Sequence, residues 1–221
     1  MSKKHKRLPA GRPQPDTRVR KRRYLVVTNG EVTEPGYFKY LEREIGHAVF
    51  TIHTSTEDPS SLANLAYRIC SRERESGTSS LDGFEAVFVV TDVDAFTASQ
   101  FQSAQDTCKR GEMELVISNP CFEVWIIDHL TVCPESCSVT KEAERKAKDL
   151  GLVGGSRNKY VTLDAIDGQL TNACVNAARH NTEERRKRRE TLGRMDFGPW
   201  TDMPKLIERV DNGAQPSGGE C

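Results

Sequence analysis

Four apolar runs of strand length, each followed by a stretch of helix length, predict an α/β fold: a mostly parallel sheet flanked by helices, with a helical C-terminal region. The runs are continuous rather than alternating, as in strands buried on both faces. The segments between them are long enough to be the crossovers that parallel neighbours require.

The first strand is "YLVVT" (24–28), and "EPGYFKYLEREIG" follows as a helix, with Pro35 suited to its first turn and Gly46 ending it. "AVFTIHTS" (48–55) reads as the second strand. In "DPSSLANLAYRICSRERES" (58–76), Leu62, Leu65, Ala66 and Ile69 share one helical face. "FEAVFVVTD" (84–92) is the third strand, and a polar helix covers about 97–110. "MELVISN" (113–119) is the fourth, and "PCFEVWIIDHL" (120–130) an apolar helix started by Pro120, with Asn119 an ordinary N-cap choice.

Beyond Leu130 the rhythm changes. A polar, Cys-containing loop leads to a helix at "KEAERKAKDL" (141–150), then to a Gly-rich turn, "GLVGGS". A long helix is expected over about 161–190, ending in "EERRKRRE", and a short one at "DMPKLIERV" (202–210). The expected organisation is a disordered basic arm (1–22), an α/β core (23–135), a helical extension packed on it (136–210) and a flexible tail (211–221).

The chain has 221 residues, 36% hydrophobic and 29% charged, enough for one substantial α/β domain. No apolar run approaches the ~20 residues of a transmembrane helix. The basic N-terminus lacks the apolar core of ~7–15 residues that marks a signal peptide. A cytoplasmic protein without membrane partners is therefore expected. The seven cysteines are odd in number and scattered, as for reduced thiols. Cys133 and Cys137 form a C-x3-C pair with His129 nearby, but there is no second pair, so buried thiols are favoured over a zinc site. The net charge of zero hides an asymmetry. Of 32 basic and 32 acidic residues, positions 1–23 hold ten basic ones and a single acid, Asp16. An acidic body with a cationic arm results, and such an arm suits either a phosphate backbone or a solubilising tail.

Ligands of open parallel sheets bind beyond the carboxyl ends of the strands. Asp92 and Asp94 lie there after the third strand. If the chain stays extended through Val93, both carboxylates face one side. Two such anions repel unless a cation or shared proton compensates, and hard Mg²⁺ or Mn²⁺ suits oxygen donors. The competing reading is a polar turn with Asp as helix cap. Glu31 and Glu34 follow the first strand, and Glu123 the fourth. Singly, each carboxylate is explained by a helix dipole; together the five acids converge on one sheet edge. His129, inside an apolar helix, reads as a hydrogen-bonded core residue, and Phe122 and Trp125 as core packing. Neither a Walker-type phosphate loop nor a G-x-S-x-G elbow is present.

"VVTNGEVTEPGYFKYL", "VFVVTDVDAF" and "ISNPCFEVWIIDHL", in that order, resemble the RloB family, whose usual forms are E-G-E-x-T-E-P-x-Y-F, D-x-D-x-F and N-P-x-F-E-x-W-x-x-x-H. Weaker echoes are "NKYVTLDAI" and "GPWTDMPKLI", and the likeness covers about residues 23–210. That family resembles the TOPRIM fold of topoisomerases, primases and certain nucleases, which make or break phosphodiester bonds with divalent metal. The resemblance implies a nuclease-type effector of phage defence, acting on DNA or RNA, with Mg²⁺ or Mn²⁺ as cofactor and an AAA-type ATPase as partner. It assigns the metal to Asp92, Asp94, Glu31 and Glu34, and places Asn119, Glu123 and His129 in the third motif. The acid that opens the family's first motif falls on Asn29, and Ala95 stands where another acid usually follows the D-x-D.

Asn29 keeps a ligand oxygen but supplies neither charge nor a base. Three readings follow: a weakened or non-catalytic nucleic-acid-binding or sensor subunit; takeover by Glu31; or essential acids limited to Glu34, Asp92 and Asp94. In the active readings Asn29, Glu31, Glu34, Asp92, Asp94 and Glu123 form the catalytic set, and the arm and "RRKRR" (185–189) draw in nucleic acid.

Overall fold

The computed structural model describes residues 21–75, 83–93, 96–182, 184 and 198–212. Strand and helix alternate as β1 (Arg22–Thr28), α1 (Thr33–Ile45), β2 (Ala48–Thr54), α2 (Pro59–Glu75), β3 (Ala86–Asp92), α3 (Ala98–Gly111), β4 (Glu114–Asn119) and α4 (Glu123–Asp128). The remainder adds α5 (Thr140–Asp149), a hairpin of β5 (Val153–Gly154) and β6 (Tyr160–Val161), α6 (Leu163–Ile166), α7 (Leu170–His180), β7 (Trp200–Thr201) and α8 (Met203–Asn212). The expected mostly parallel sheet is present, in the order β2-β1-β3-β4-β7, with β7 alone antiparallel.

Local chemistry fixes the helix ends. Asp58 opens α2 by accepting from the Ser60 backbone N–H at 2.9 Å. Thr97 and Gln100 form a reciprocal capping box on α3. Gly46, at φ +74°, closes α1 by donating to the Glu42 carbonyl.

The continuous apolar strands are buried on both sides. Tyr24, Val26, Phe88 and Val90 face α1, α4 and the C-terminal helices, through Tyr37, Phe38, Trp125, Ala143, Ala173 and Leu206. Leu25, Val27, Val87 and Val89 face α2 and α3, through Leu62, Ala66, Ala104 and Cys108. The helices after β1 and β2 thus leave opposite faces of the sheet. This divergence opens a crevice above the ends of β1 and β3.

Three expectations need correction. Asn119 is not a helix cap and Pro120 does not start a helix: Asn119 still pairs with Trp200 as the last residue of β4, and α4 begins at Glu123. The Gly-rich segment is not a plain turn but one arm of the β5–β6 hairpin, in which Val153 pairs with Val161. The single helix over 161–190 is broken. Val161 belongs to β6, α6 ends at Ile166, and Gly168 at φ +65° separates it from α7. The arm expected over 1–22, the run 185–189 and the tail expected over 211–221 lie outside the described residues, except that Lys21 and Arg22 are described, with Arg22 in β1, and that Asp211 and Asn212 belong to α8. None of the helices among the described residues is long and apolar enough to cross a membrane.

One buried polar knot ties α7 to α4. Asp128 Oδ2 lies 2.7 Å from His180 Nε2, Oδ1 accepts from the Cys133 backbone N–H at 3.0 Å, and the Asp128 carbonyl accepts from Asn176 Nδ2 at 2.8 Å. Both side chains of the pair are out of solvent. Burial pushes the Asp128 carboxyl upward, and the bonds from His180 and Cys133 oppose that push. Removing one partner of such a pair leaves the other buried without compensation, at a cost of about 3–5 kcal/mol. Asp128→Ala should therefore lower the urea midpoint sharply, and Asp128→Asn, which keeps an acceptor oxygen, should cost less.

Candidate functional site

β1 ends at Thr28, and its parallel neighbour β3 continues to Asp92, in register through Thr28 and Val90. β4 runs alongside β3 to Asn119, followed closely by Glu123. Above these ends lies a cleft of about 500 Å³. Asn29, Gly30, Glu31, Val32, Thr33, Glu34, Thr56, Asp92, Phe122 and Glu123 line one side, and Ser156, Arg157, Lys159 and Tyr160 the other. The crevice at the divergence of α1 and α2 is therefore the cleft that collects the sequence-predicted acids.

Glu34 sits in the first turn of α1 and is only 4% exposed. Its carboxyl group folds back to accept from its own backbone N–H and from the Thr28 hydroxyl. Gly30 makes room for it: a Cβ at that position would overlap the carboxyl carbon and both oxygens of Glu34. The glycine of the first motif is thus explained by packing against its own acid. Burial pushes the Glu34 carboxyl up to about 7, and the nearby Glu123 charge adds to the push. Lys159 and the Thr28 hydrogen bond pull the other way.

Glu123 is also buried, and Lys159 reaches it at 3.7 Å while holding Glu144 at 2.7 Å. Burial alone would lower the Lys159 pKa, but Glu123 and Glu144 raise it above its ordinary value, so this lysine stays charged. Thr33 fastens the same segment by donating from Oγ1 to the Lys159 carbonyl at 2.9 Å.

Asn29 donates its backbone N–H to Val90 at 3.4 Å. Its Oδ1 is buried and has no hydrogen-bond partner among the described residues. A buried acceptor left without a donor is costly, which makes this oxygen a candidate for a bound cation or a ligand proton. Glu31 stands exposed at the rim. Asp92 lines the cleft as the last residue of β3, while Val93 turns inward and donates its N–H to the Ser118 and Pro120 carbonyls. Asp94 lies outside the described residues.

Asn29, Glu31, Glu34, Asp92 and Glu123 therefore share one cleft. Among the described residues, no group of three or more His, Cys, Asp or Glu converges tightly enough to hold a metal. The donors do fit a hard divalent cation in kind, being the unpartnered Asn29 oxygen and carboxylates. Mg²⁺ commonly takes only one or two protein carboxylates and fills its shell with water and phosphate oxygens.

His129 is the core residue its position implied. Because the Trp125 carbonyl can only accept, His129 Nδ1 carries the proton donated to it at 3.0 Å, and Nε2 accepts from the Tyr37 hydroxyl at 3.3 Å. Burial lowers its pKa to about 4. Cys133 and Cys137 are buried, Cys137 Sγ donates to the Glu142 carbonyl at 3.9 Å, and burial raises both thiols, in keeping with the reading as buried thiols. Phe122 and Trp125 pack around Tyr37 as expected.

Sequence reasoning missed the opposite wall. Ser156, Arg157, Lys159 and Tyr160 end or follow a Gly-rich stretch that resembled a connecting turn, and only the faint motif echo "NKYVTLDAI" marked Lys159 and Tyr160. Comparison with family models supplies the identity: the RloB-like protein family matches residues 24–210, from β1 into α8. The chain belongs to the RloB-like family. No curated protein matches it. The RloB-like match takes in both walls of the cleft, the acid-bearing strand ends and the hairpin across from them.

Glu34 gives this RloB-like chain a distinct pH signature. Its folded pKa of about 7 exceeds the ordinary 4.5, so between those values the folded protein binds the extra proton. The resulting stability is present at low pH and is lost as pH rises toward and through 7, by about 3 kcal/mol at most. Glu34→Gln should remove this loss and raise the melting temperature at pH 8 more than at pH 5, measured without added metal.

Proposed function

We propose that this RloB-like protein is a metal-dependent phosphodiesterase, a nuclease-type effector of bacterial phage defence acting in the cytoplasm with an AAA-type ATPase partner. Support comes chiefly from one feature: a buried carboxyl group, Glu34, that shares a cleft at the crevice of a parallel sheet with Asp92 and the Asn29 oxygen, which has no partner among the described residues. The arrangement is of the kind expected from the TOPRIM likeness of the motifs. Asp92 and Glu34 would hold Mg²⁺ or Mn²⁺, with Asp94 and Glu31 as the further acids assigned by that likeness.

The metal would supply Lewis-acid polarisation of the phosphate and stabilise the leaving oxygen. Glu34 holds its proton to near neutrality in the metal-free cleft, and a bound cation would displace that proton and leave Glu34 as a carboxylate ligand. Asn29 would orient a metal-bound or substrate group through Oδ1 without adding charge. Lys159 stays protonated 3.7 Å from Glu123, and its positive charge opposes the repulsion that Glu123 exerts on Glu34. Metal affinity should rise with pH as the proton on Glu34 is displaced.

The amide at position 29 and the lack of a three-ligand cluster among the described residues favour a second reading, a weakened or non-catalytic nucleic-acid-binding subunit of a defence complex. Incubating the protein with labelled DNA and RNA and Mn²⁺, alone and with a candidate AAA-type ATPase partner, separates the two. Cleavage that falls at least about 100-fold in Asp92→Ala supports the enzyme, on the scale of losing one electrostatic group of a phosphoryl site. Cleavage that persists in Asp92→Ala/Asp94→Ala sinks it. Asn29→Glu should raise Mn²⁺ affinity by calorimetry, and a gain of cleavage with it would identify a debilitated native site.

A further inference from the structure

The wall facing the acids carries chemistry that phosphodiester cleavage leaves unused. Tyr160 is 58% exposed, a large aromatic side chain held at the cleft rather than in the core. It is also held in place. Its ring lies against Gly155, where a Cβ would come within 2.6 Å of Cδ2, and Gly155 has the left-handed φ of +69°. One part of the ring is thus propped by backbone while the remainder faces solvent. Beside it, Arg157 is exposed, lines the same cleft and pairs with no acid among the described residues. Arg157 adopts φ +56°, a conformation uncommon for a side chain of its size. Lys159, between them, is occupied by Glu144 and Glu123.

The platform is anchored at several points. Thr33 bonds the Lys159 carbonyl, Thr162 N–H donates to the Leu152 carbonyl at 2.8 Å, and Val153 pairs with Val161. An exposed aromatic ring and a guanidinium without an acid partner among the described residues, on a fixed hairpin opposite buried acids, form the pair of groups that grips an unpaired base and its phosphate. A base inside a duplex is stacked on both faces and cannot present itself to a single ring.

We infer that the β5–β6 hairpin is a base-stacking platform, in which Tyr160 takes an unpaired base and Arg157 its flanking phosphate, so that the ligand of the cleft is single-stranded nucleic acid. The inference rests on the proposed nucleic-acid function but not on cleavage. It extends that function by naming strand state as what the cleft selects.

Fluorescence anisotropy of the full chain tests it in EDTA, where no cleavage occurs, and at salt high enough to suppress binding by the basic arm. The probes are labelled single-stranded DNA and RNA oligonucleotides, duplexes of the same sequences, and mononucleotides as competitors. Single strands should bind at least about tenfold more tightly than duplexes, and Tyr160→Ala should weaken them by about tenfold, while Tyr160→Trp retains binding. Arg157→Gln should weaken binding and flatten its salt dependence. Because both side chains are exposed, the variants should melt with the wild type. Equal affinity for duplex, an unaltered affinity in Tyr160→Ala, or mononucleotide competition as strong as that of a strand overturns the inference. Asp92→Ala keeps the two ideas apart. Tyr160-dependent binding without any metal-dependent cleavage removes the enzyme and leaves the platform, whereas Asp92-dependent cleavage that ignores Tyr160 removes the platform alone.

Discussion

Because β1 sends its helix over one face of the sheet and β2 sends its helix over the other, the chain separates above the ends of β1 and β3, and every candidate functional group depends on that parting. α1 carries Glu34 to one side of the opening, β3 carries Asp92 into it, and the Asn29 oxygen is left there without a donor. The apolar strands anchor this geometry from below. Tyr24 to Val27 are fully buried, so the register that brings Thr28 beside Val90 is fixed by the side chains facing the two helical layers.

The electrostatics follow from the same burial. A carboxyl group at the head of a helix is ordinarily favoured in its charged form. At Glu34 desolvation and the Glu123 charge outweigh that preference and hold the proton to about pH 7. The cleft therefore carries an electrostatic cost that either a proton or a cation relieves. Lys159 relieves part of it, but it is drawn toward Glu123 and Glu144 rather than seated on Glu34. A group whose charge is poorly compensated in the folded protein is the kind that a ligand can stabilise.

Much of this was legible in the sequence, and the reasons are specific. Continuous apolar runs announced strands buried on both faces, and the polar residues after them marked the ligand edge. Glu34, Asp92 and Glu123 were identifiable because each lies at, or within a few residues of, the carboxyl end of a strand. Legibility failed where position is set by contacts distant in sequence. Thr33 and Lys159 meet across 126 residues, and no periodicity signals that meeting. The two-residue strands β5, β6 and β7 are too short for alternation to show. The break between α6 and α7 turned on Gly168, a single residue inside an otherwise helical composition. The Asp128–His180 knot lay hidden because a buried acid and a buried histidine 52 residues apart look, in sequence, like two ordinary polar positions.

Asn29 gains a different meaning from this geometry. In the motif it looked like a missing acid, a loss of charge at a metal site. In the cleft, Glu34 already retains a proton near neutrality because burial disfavours its charge, and the Glu123 carboxylate adds repulsion. A further acid at position 29 would add like charge to a crevice that also holds Asp92 and Glu123, a repulsion that a bound cation would relieve. The amide avoids that repulsion in the metal-free protein while keeping one oxygen available to a ligand. On the proposed metal-binding reading, Asn29 would trade cation affinity for stability of the empty cleft, and binding would depend more heavily on what the ligand itself brings, its phosphate oxygens included.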